Sequence, residues 1–145
     1  MNFSGLRMNG RRAACVCLIL SAAVAGPGAS LGAAERGFPL DQELLLDTKP
    51  MRGSKRVPIL DIAANGAVLI DLWCNTVEGQ IVLIDNTSRI AVLTGAKTDR
   101  PCTPERARGD EEVLSVLTQV TTWRREGDAI VLIGPQTLRF RKATH

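Results

Sequence analysis

The chain has 145 residues, of which 45% are hydrophobic and 23% are charged, a composition that excludes an intrinsically disordered chain and a collagen-like fibre. Three of its 18 Lys and Arg residues lie in the first 34 residues, which contain no acid, so residues 35–145 hold 15 basic and 15 acidic side chains. A net charge of zero over that region removes the electrostatic case for nucleic-acid binding.

The first segment has the layout of a secretory signal peptide. Arg7, Arg11 and Arg12 precede an apolar or small-residue stretch at 13–25, and a small-residue run ends at Ala34. Thirteen helical residues extend about 20 Å, less than the roughly 30 Å hydrocarbon core, although a membrane anchor stays open as the alternative. We therefore expect residues 1–34 to be removed and residues 35–43 to form a linker. The mature chain, without a membrane span, is then periplasmic or secreted.

The first strands surround an Asn-Gly turn. A short apolar run at Leu44–Leu46 predicts one strand. Asn65-Gly66 lies between two β-branched-rich runs, 57–63 and 67–74, which predicts a hairpin with a type I′ turn and positive φ at both central residues. Pro58, near the start of its run, predicts an edge strand because proline cannot donate a ladder hydrogen bond.

A second hairpin follows, with apolar runs at 80–84 and 89–93. The connecting residues 85–88 (Asp-Asn-Thr-Ser) are all turn formers. A loop then leads to Cys102.

The hydrophobic period changes after Cys102. Thr103 and Pro104 are typical of an N-cap and a first helical residue. Apolar residues from Val113 to Val120 recur at helical spacing, and Gly109 weakens the preceding turn, so the well-formed helix is expected over 110–120. The acids at 110–112 favour a solvated helix start near the positive end of the dipole over a metal site.

Three further strands are predicted at 121–125, 129–133 and 137–142, separated by Gly- and Pro-containing turns. In the last strand Leu138 and Phe140 alternate with Arg139 and Arg141, which predicts one buried face and one solvated face.

Removal of the first 34 residues leaves two cysteines, Cys74 and Cys102. An even number of cysteines in an oxidising compartment favours a disulfide, with two separate buried thiols as the alternative.

Groups suited to catalysis are few. The single histidine is His145, the last residue, so a Ser-His or Cys-His nucleophile has no base. No metal-ligand spacing, phosphate-binding loop or dinucleotide motif occurs, and no cofactor is expected. Asp61 and Asp71, on the two strands of one hairpin, remain as a weak candidate pair of catalytic carboxylates.

The order of motifs resembles the META domain of the HslJ heat-shock protein family. The matching elements are Trp73-Cys74-Asn75, Thr98–Cys102 with Pro104, Glu112 before an apolar helix, Trp123, Gly127-Asp128 and Leu138-Arg139-Phe140. Over Leu44–Lys142 this resemblance implies an α+β fold, in which a curved, mostly antiparallel sheet of about six to seven strands packs against one helix. It also implies an envelope protein linked to stress or antibiotic tolerance, and it supplies no catalytic residues.

The leading functional hypothesis is a non-enzymatic, monomeric domain that binds or stabilises an unidentified envelope component, protein or small ligand. Trp73 and Trp123 are the candidate contact residues, with a core position as the alternative, above all for Trp123. A small-ligand carrier, using an apolar concavity lined by residues such as Leu72 and Trp73, is a second hypothesis. A hydrolase using carboxylates is a third.

Overall fold

The computed structural model describes residues 37–144, and both the expected signal peptide and His145 lie outside this range. The described chain consists of β1 Gln42–Leu46, β2 Ile59–Ile62, β3 Ala67–Asp71, β4 Thr76–Leu83, β5 Ile90–Lys97, α1 Pro104–Thr118, β6 Thr122–Glu126, β7 Ala129–Ile133 and β8 Thr137–Lys142. No helix in this part of the chain is long and apolar enough to cross a membrane.

All eight strands form one antiparallel sheet in the order β5-β4-β3-β2-β1-β8-β7-β6. The sheet curls into a half-barrel. Among the described residues, its two edge strands come together only where β5 and β6 begin: Ile90 N–H donates to the Thr121 carbonyl (3.0 Å), and Trp123 N–H donates to the Ser88 carbonyl (2.9 Å). The expected α+β class and curved sheet are confirmed. The count of six to seven strands implied by the resemblance is wrong, because each of the eight apolar runs forms a strand. The short strand β1 pairs on both sides and joins the N-terminal and C-terminal strands into one sheet.

The Asn-Gly hairpin forms, but its turn differs from the expected type I′. Gly66 has a φ of 82°, whereas Asn65 does not have a positive φ. Ala63 N–H donates to the Ala67 carbonyl and Gly66 N–H donates to the Ala63 carbonyl, so the loop has three residues with the glycine last. A Cβ at Gly66 would lie 2.6 Å from the Ile81 carbonyl oxygen, which requires glycine on steric grounds as well.

Pro58 does not mark an edge strand, because β2 lies between β1 and β3. The proline precedes β2, where its missing N–H costs no ladder bond, and its carbonyl accepts from Leu46 N–H (2.8 Å). Within the segment assigned to a linker, Phe38 is buried and β1 begins at Gln42.

The helix begins as predicted and includes the turn that Gly109 was expected to weaken. Thr103 is the N-cap, with its hydroxyl oxygen 3.4 Å from Arg106 N, and Pro104 is the first helical residue. α1 therefore forms from Pro104, not from residue 110, and ends at Thr118. Gly109 is buried in its middle because other parts of the chain pack against this position.

Nineteen buried residues form one hydrophobic core on the inner face of the sheet and under α1. Phe140 in β8 is fully buried, while Arg139 and Arg141 are exposed, so the predicted alternation is confirmed. β7 is buried on both faces, because its outward-facing Val131 lies between Arg124 and Arg139 on the neighbouring strands.

Candidate functional site

The two cysteine-containing elements of the motif resemblance meet each other and the first half of α1 at the β3–β4 connection. We call this region the disulfide corner: residues 73–75, residues 98–102, and Gly109 and Asp110 of α1. The predicted bond between Cys74 and Cys102 is present, with the two Cα atoms 6.1 Å apart across 28 positions of sequence. It links the β3–β4 connection to the residue before the helix cap.

Asp110 is the centre of the disulfide corner. Its side chain is fully buried. One carboxylate oxygen accepts from Cys74 N–H (3.2 Å), and the other accepts from Asn75 N–H (2.9 Å) and from the Asn75 side-chain amide (3.1 Å). The expectation that Asp110 is a solvated helix-start acid is wrong, because α1 starts six residues earlier and directs this side chain inward.

Asn75 is the second buried polar residue and joins three segments of the corner. Its side-chain oxygen accepts from the Thr98 hydroxyl (3.0 Å) and from Arg100 N–H (2.9 Å). Its amide nitrogen lies 3.2 Å from Cys102 Sγ in addition to donating to Asp110. Because buried polar groups are costly unless paired, this network holds the corner in one arrangement.

Trp73 covers the outside of this network. A Cβ at Gly109 would lie 2.7 Å from Trp73 Cδ1 and would also collide with Met51 Cε, so the indole and the thioether both pack on bare helix backbone. Trp73 remains only partly buried, as does Met51. Part of the Trp73 side chain is therefore exposed to solvent at the corner.

Trp123 occupies a different environment. It is 6% exposed and belongs to the hydrophobic core. Its ring packs edge-on against Phe38, with centroids 5.2 Å apart and an interplanar angle of 87°. The structure therefore places Trp73 at a surface corner and Trp123 in the core.

The candidate carboxylates lie on the outer face of the sheet. Asp61 is opposite Leu69, and Asp71 is opposite Ile59, so the two acids are diagonal neighbours on β2 and β3. Asp71 also lies 3.5 Å from Arg56. Within residues 37–144, no group of three His, Cys, Asp or Glu side chains is arranged to hold a metal ion.

Three charged groups outside the disulfide corner have shifted pKa values, and one of them, Lys97, lies next to it. Hydrogen bonds to Asp85, first from the Thr87 hydroxyl and then from backbone N–H groups, lower its pKa to about 2. A hydrogen bond from Arg124 lowers the pKa of Glu126. A hydrogen bond to Glu111 raises the pKa of Lys97.

Sequence reasoning missed Asp110 and Met51 as parts of this site. Asp110 stands in a run of three acids, and its neighbours at 111 and 112 are exposed, so composition cannot single it out. Met51 belongs to the basic segment 51–56, whose polar character predicts only a solvated loop. The signal that could have pointed to the contact surface is Gly109, a glycine in the middle of a helix, which often marks close packing.

The family model of the META domain matches residues 41–145. The chain belongs to the META domain family. An NMR structure of a protein from Burkholderia xenovorans has a similar fold, with 19% identity and a TM-score of 0.58 over 83% of this chain and 98% of that chain. No curated protein sequence matches this META domain chain.

Proposed function

We propose that this META domain is a non-enzymatic binding domain of the bacterial envelope, and that Trp73 at the disulfide corner contacts its partner. The observation that carries the proposal is the environment of Trp73. Its indole packs on Gly109 beside Met51 but remains partly exposed. A large ring with one N–H, held in a fixed position, suits a contact residue because little entropy is lost when the partner binds.

The chemistry of the corner supports binding over catalysis. The Asp110 carboxylate accepts three hydrogen bonds, and the Asn75 side chain is engaged on both its oxygen and its nitrogen. A general base or nucleophile needs a free lone pair directed at a substrate. The polar groups of the corner are instead used to connect segments of the fold.

The proposed location rests on two features. The first 34 residues have the charge and apolar pattern of an export signal. The bond between Cys74 and Cys102 is of a kind that persists in oxidising compartments. N-terminal sequencing of protein released by osmotic shock should find a new terminus near residue 35, and an intact Met1 on membrane-bound material would contradict export.

The small-ligand carrier receives no support from the described residues. Leu72, which was expected to line its pocket, is 5% exposed and forms part of the packed core.

The contact role of Trp73 can be tested by crosslinking in cells with a short amine-reactive reagent. We expect Trp73→Ala to reduce the yield of the crosslinked species at least about fivefold, while Trp73→Phe retains most of it. Glu112→Ala, at an exposed position of α1, is the control and should leave the yield unchanged. Equal yields from Trp73→Ala and the wild type, at matched amounts of folded protein, would show that Trp73 does not contact the partner.

A further inference from the structure

Large hydrophobic side chains are exposed together on one part of the outer sheet surface. Leu69, Val82 and Leu93 are 43%, 38% and 56% exposed, and Ile84, directly after β4, is 50% exposed. Buried residues alternate with Leu69, Val82 and Leu93 on β3, β4 and β5, so these three side chains point outward. Ile84 lies two positions after Val82, and Leu83 between them is 43% exposed as well. We call these four residues the β3–β5 face. Grouped exposed apolar side chains are characteristic of interaction surfaces.

A row of acids crosses this face. Glu43, Asp61, Leu69 and Glu78 are successive cross-strand partners on β1, β2, β3 and β4, so Leu69 has a carboxylate on each side. Like charges directly opposite each other, as at Glu43 and Asp61, destabilise a sheet. Among residues 37–144, none of these three acids has an ion-pair partner.

Basic side chains lie at the margins of this face. Arg56 contacts Asp71, two positions after Leu69 on β3 (3.5 Å). Arg89 immediately precedes β5 and Lys97 ends it, and Lys97 pairs with Glu111 of α1. The central part of the face is therefore apolar and negative.

Two grooves flank Leu69 and provide room for a partner's side chains. One, of about 360 Å³, lies toward Asp61 over the small residues Ala63, Ala67 and Gly79. The other, of about 250 Å³, lies on the opposite side over Gly95 and Ala96. Both grooves are bordered by Leu69 and Glu78.

We propose that the β3–β5 face binds an extended segment of another protein in which basic side chains flank an apolar one. The order acid, leucine, acid across β2, β3 and β4 is complementary to the order basic, apolar, basic. Asp61 and Glu78 are separated by two strand spacings of about 4.8 Å each. Lys or Arg side chains four residues apart on an extended chain are long enough to reach both acids. The second groove reaches Thr98 of the disulfide corner, but Trp73 lines neither groove, so the proposal stands independently of the proposed function.

The test uses a synthetic peptide, Lys-Thr-Leu-Thr-Lys-Thr-Leu-Thr-Lys, titrated into the ¹⁵N-labelled protein. We expect amide shifts in β2 to β5 and none around Trp73. The double variant Asp61→Asn with Glu78→Gln should weaken binding about fivefold at low salt, because two exposed charge pairs are lost. Glu112→Gln with Asp128→Asn changes the net charge equally at exposed positions elsewhere and should leave the affinity within about twofold.

Other outcomes would overturn the proposal. Equal binding of the peptide with every Lys replaced by Glu would show that charge does not select the partner. Shifts centred outside β2 to β5, or an equal loss of affinity in both double variants, would show that the face is not the binding site. Concentration-dependent association of the protein without peptide, abolished by Leu69→Ala, would identify a second copy of the chain as the occupant.

Discussion

At the scale of single residues, Asp110 shows that the burial of an acidic side chain depends more on its position in the fold than on its residue type. It is fully buried, whereas Glu111 and Glu112, the next two residues, are exposed. The difference arises because Asp110 lies on the side of α1 that faces the β3–β4 connection, where three N–H groups require acceptors. A buried carboxylate is tolerated there because it meets that requirement.

We expect Asp110→Ala to lower the free energy of unfolding by about 3 kcal/mol, because buried backbone and amide N–H groups lose their acceptor. Urea denaturation at neutral pH measures this change. Glu112→Ala, two residues later on the exposed side, is the matched control and should change stability by less than about 0.5 kcal/mol. Equal effects of the two substitutions would contradict a central role for the Asp110 network.

Asp85 should make stability depend on pH in a defined acidic window. Its pKa is about 2 in the folded protein against an ordinary value of 3.8, so the unfolded state binds more protons between these values. The stabilisation is present above about pH 4 and is lost as the pH falls toward 2. An NMR titration of the Asp85 carboxyl carbon should give a midpoint near 2, and Asp85→Asn should flatten the fall in melting temperature over that range. A midpoint near 4 would show that the hydrogen bonds from residues 87–89 do not lower the pKa of Asp85.

At the scale of elements, local sequence and distant packing act on different parts of α1. Thr103 and Pro104 define where the helix begins, as their capping and φ preferences predict. Gly109 has a low helix propensity, but its turn is stabilised by Trp73 and Met51, which pack where a side chain would otherwise be. Tertiary packing thus extends the helix into a segment that propensity alone disfavours.

The disulfide should contribute substantially to the attachment of α1 to the sheet. Closing a loop with a separation of 28 residues is worth roughly 3–4 kcal/mol in the chain-entropy model. The double variant Cys74→Ala with Cys102→Ala should therefore unfold at a markedly lower urea concentration than the oxidised protein.

Single variants provide the check on this prediction. Cys74→Ala and Cys102→Ala should each cost nearly as much as the double variant, because either one breaks the same bond. Additive costs would mean that each side chain stabilises the fold separately. Thiol labelling of the unfolded, unreduced protein should modify neither residue.

At the scale of the whole molecule, the two edge strands of the half-barrel, β5 and β6, are joined less firmly than the other neighbouring strands. Hydrogen bonds join β5 to the start of β6 at only two positions among the described residues, whereas β7 is paired along its length on both sides. The connection between these two edge strands contains α1.

We therefore expect the junction of β5 and β6 to open before the rest of the sheet. In native-state hydrogen exchange, the amides of Ile90 and Trp123 should exchange faster than those of Ile130 and Leu132, although all four residues are buried. Equal protection at the four amides would indicate that the sheet opens in a single step.

The sequence favours a core position for Trp123 more than for Trp73, but it does not identify the neighbours that decide their burial. Both follow the same chemical rule, a large ring with a polar tip, and both lie near strand ends in the sequence. Only the fold brings Phe38 against Trp123, across 85 positions, and Gly109 against Trp73. Burial depends on such distant neighbours, which local patterns do not identify.

The sequence by itself determined the order of the strands and the helix, the two N-terminal hairpins, the helix N-cap and the cysteine pair, because these follow from consecutive residues or from counts. It did not determine the bounds of α1, β4 and β5. Only the tertiary structure decided the eight-stranded connection through β1, the burial of Asp110 and the exposure of Leu69 between two acids. Each of these depends on which segments lie side by side after folding. Alternation predicts which residues of a strand share a face, but the curvature of the sheet and the path of the helix decide which face is covered.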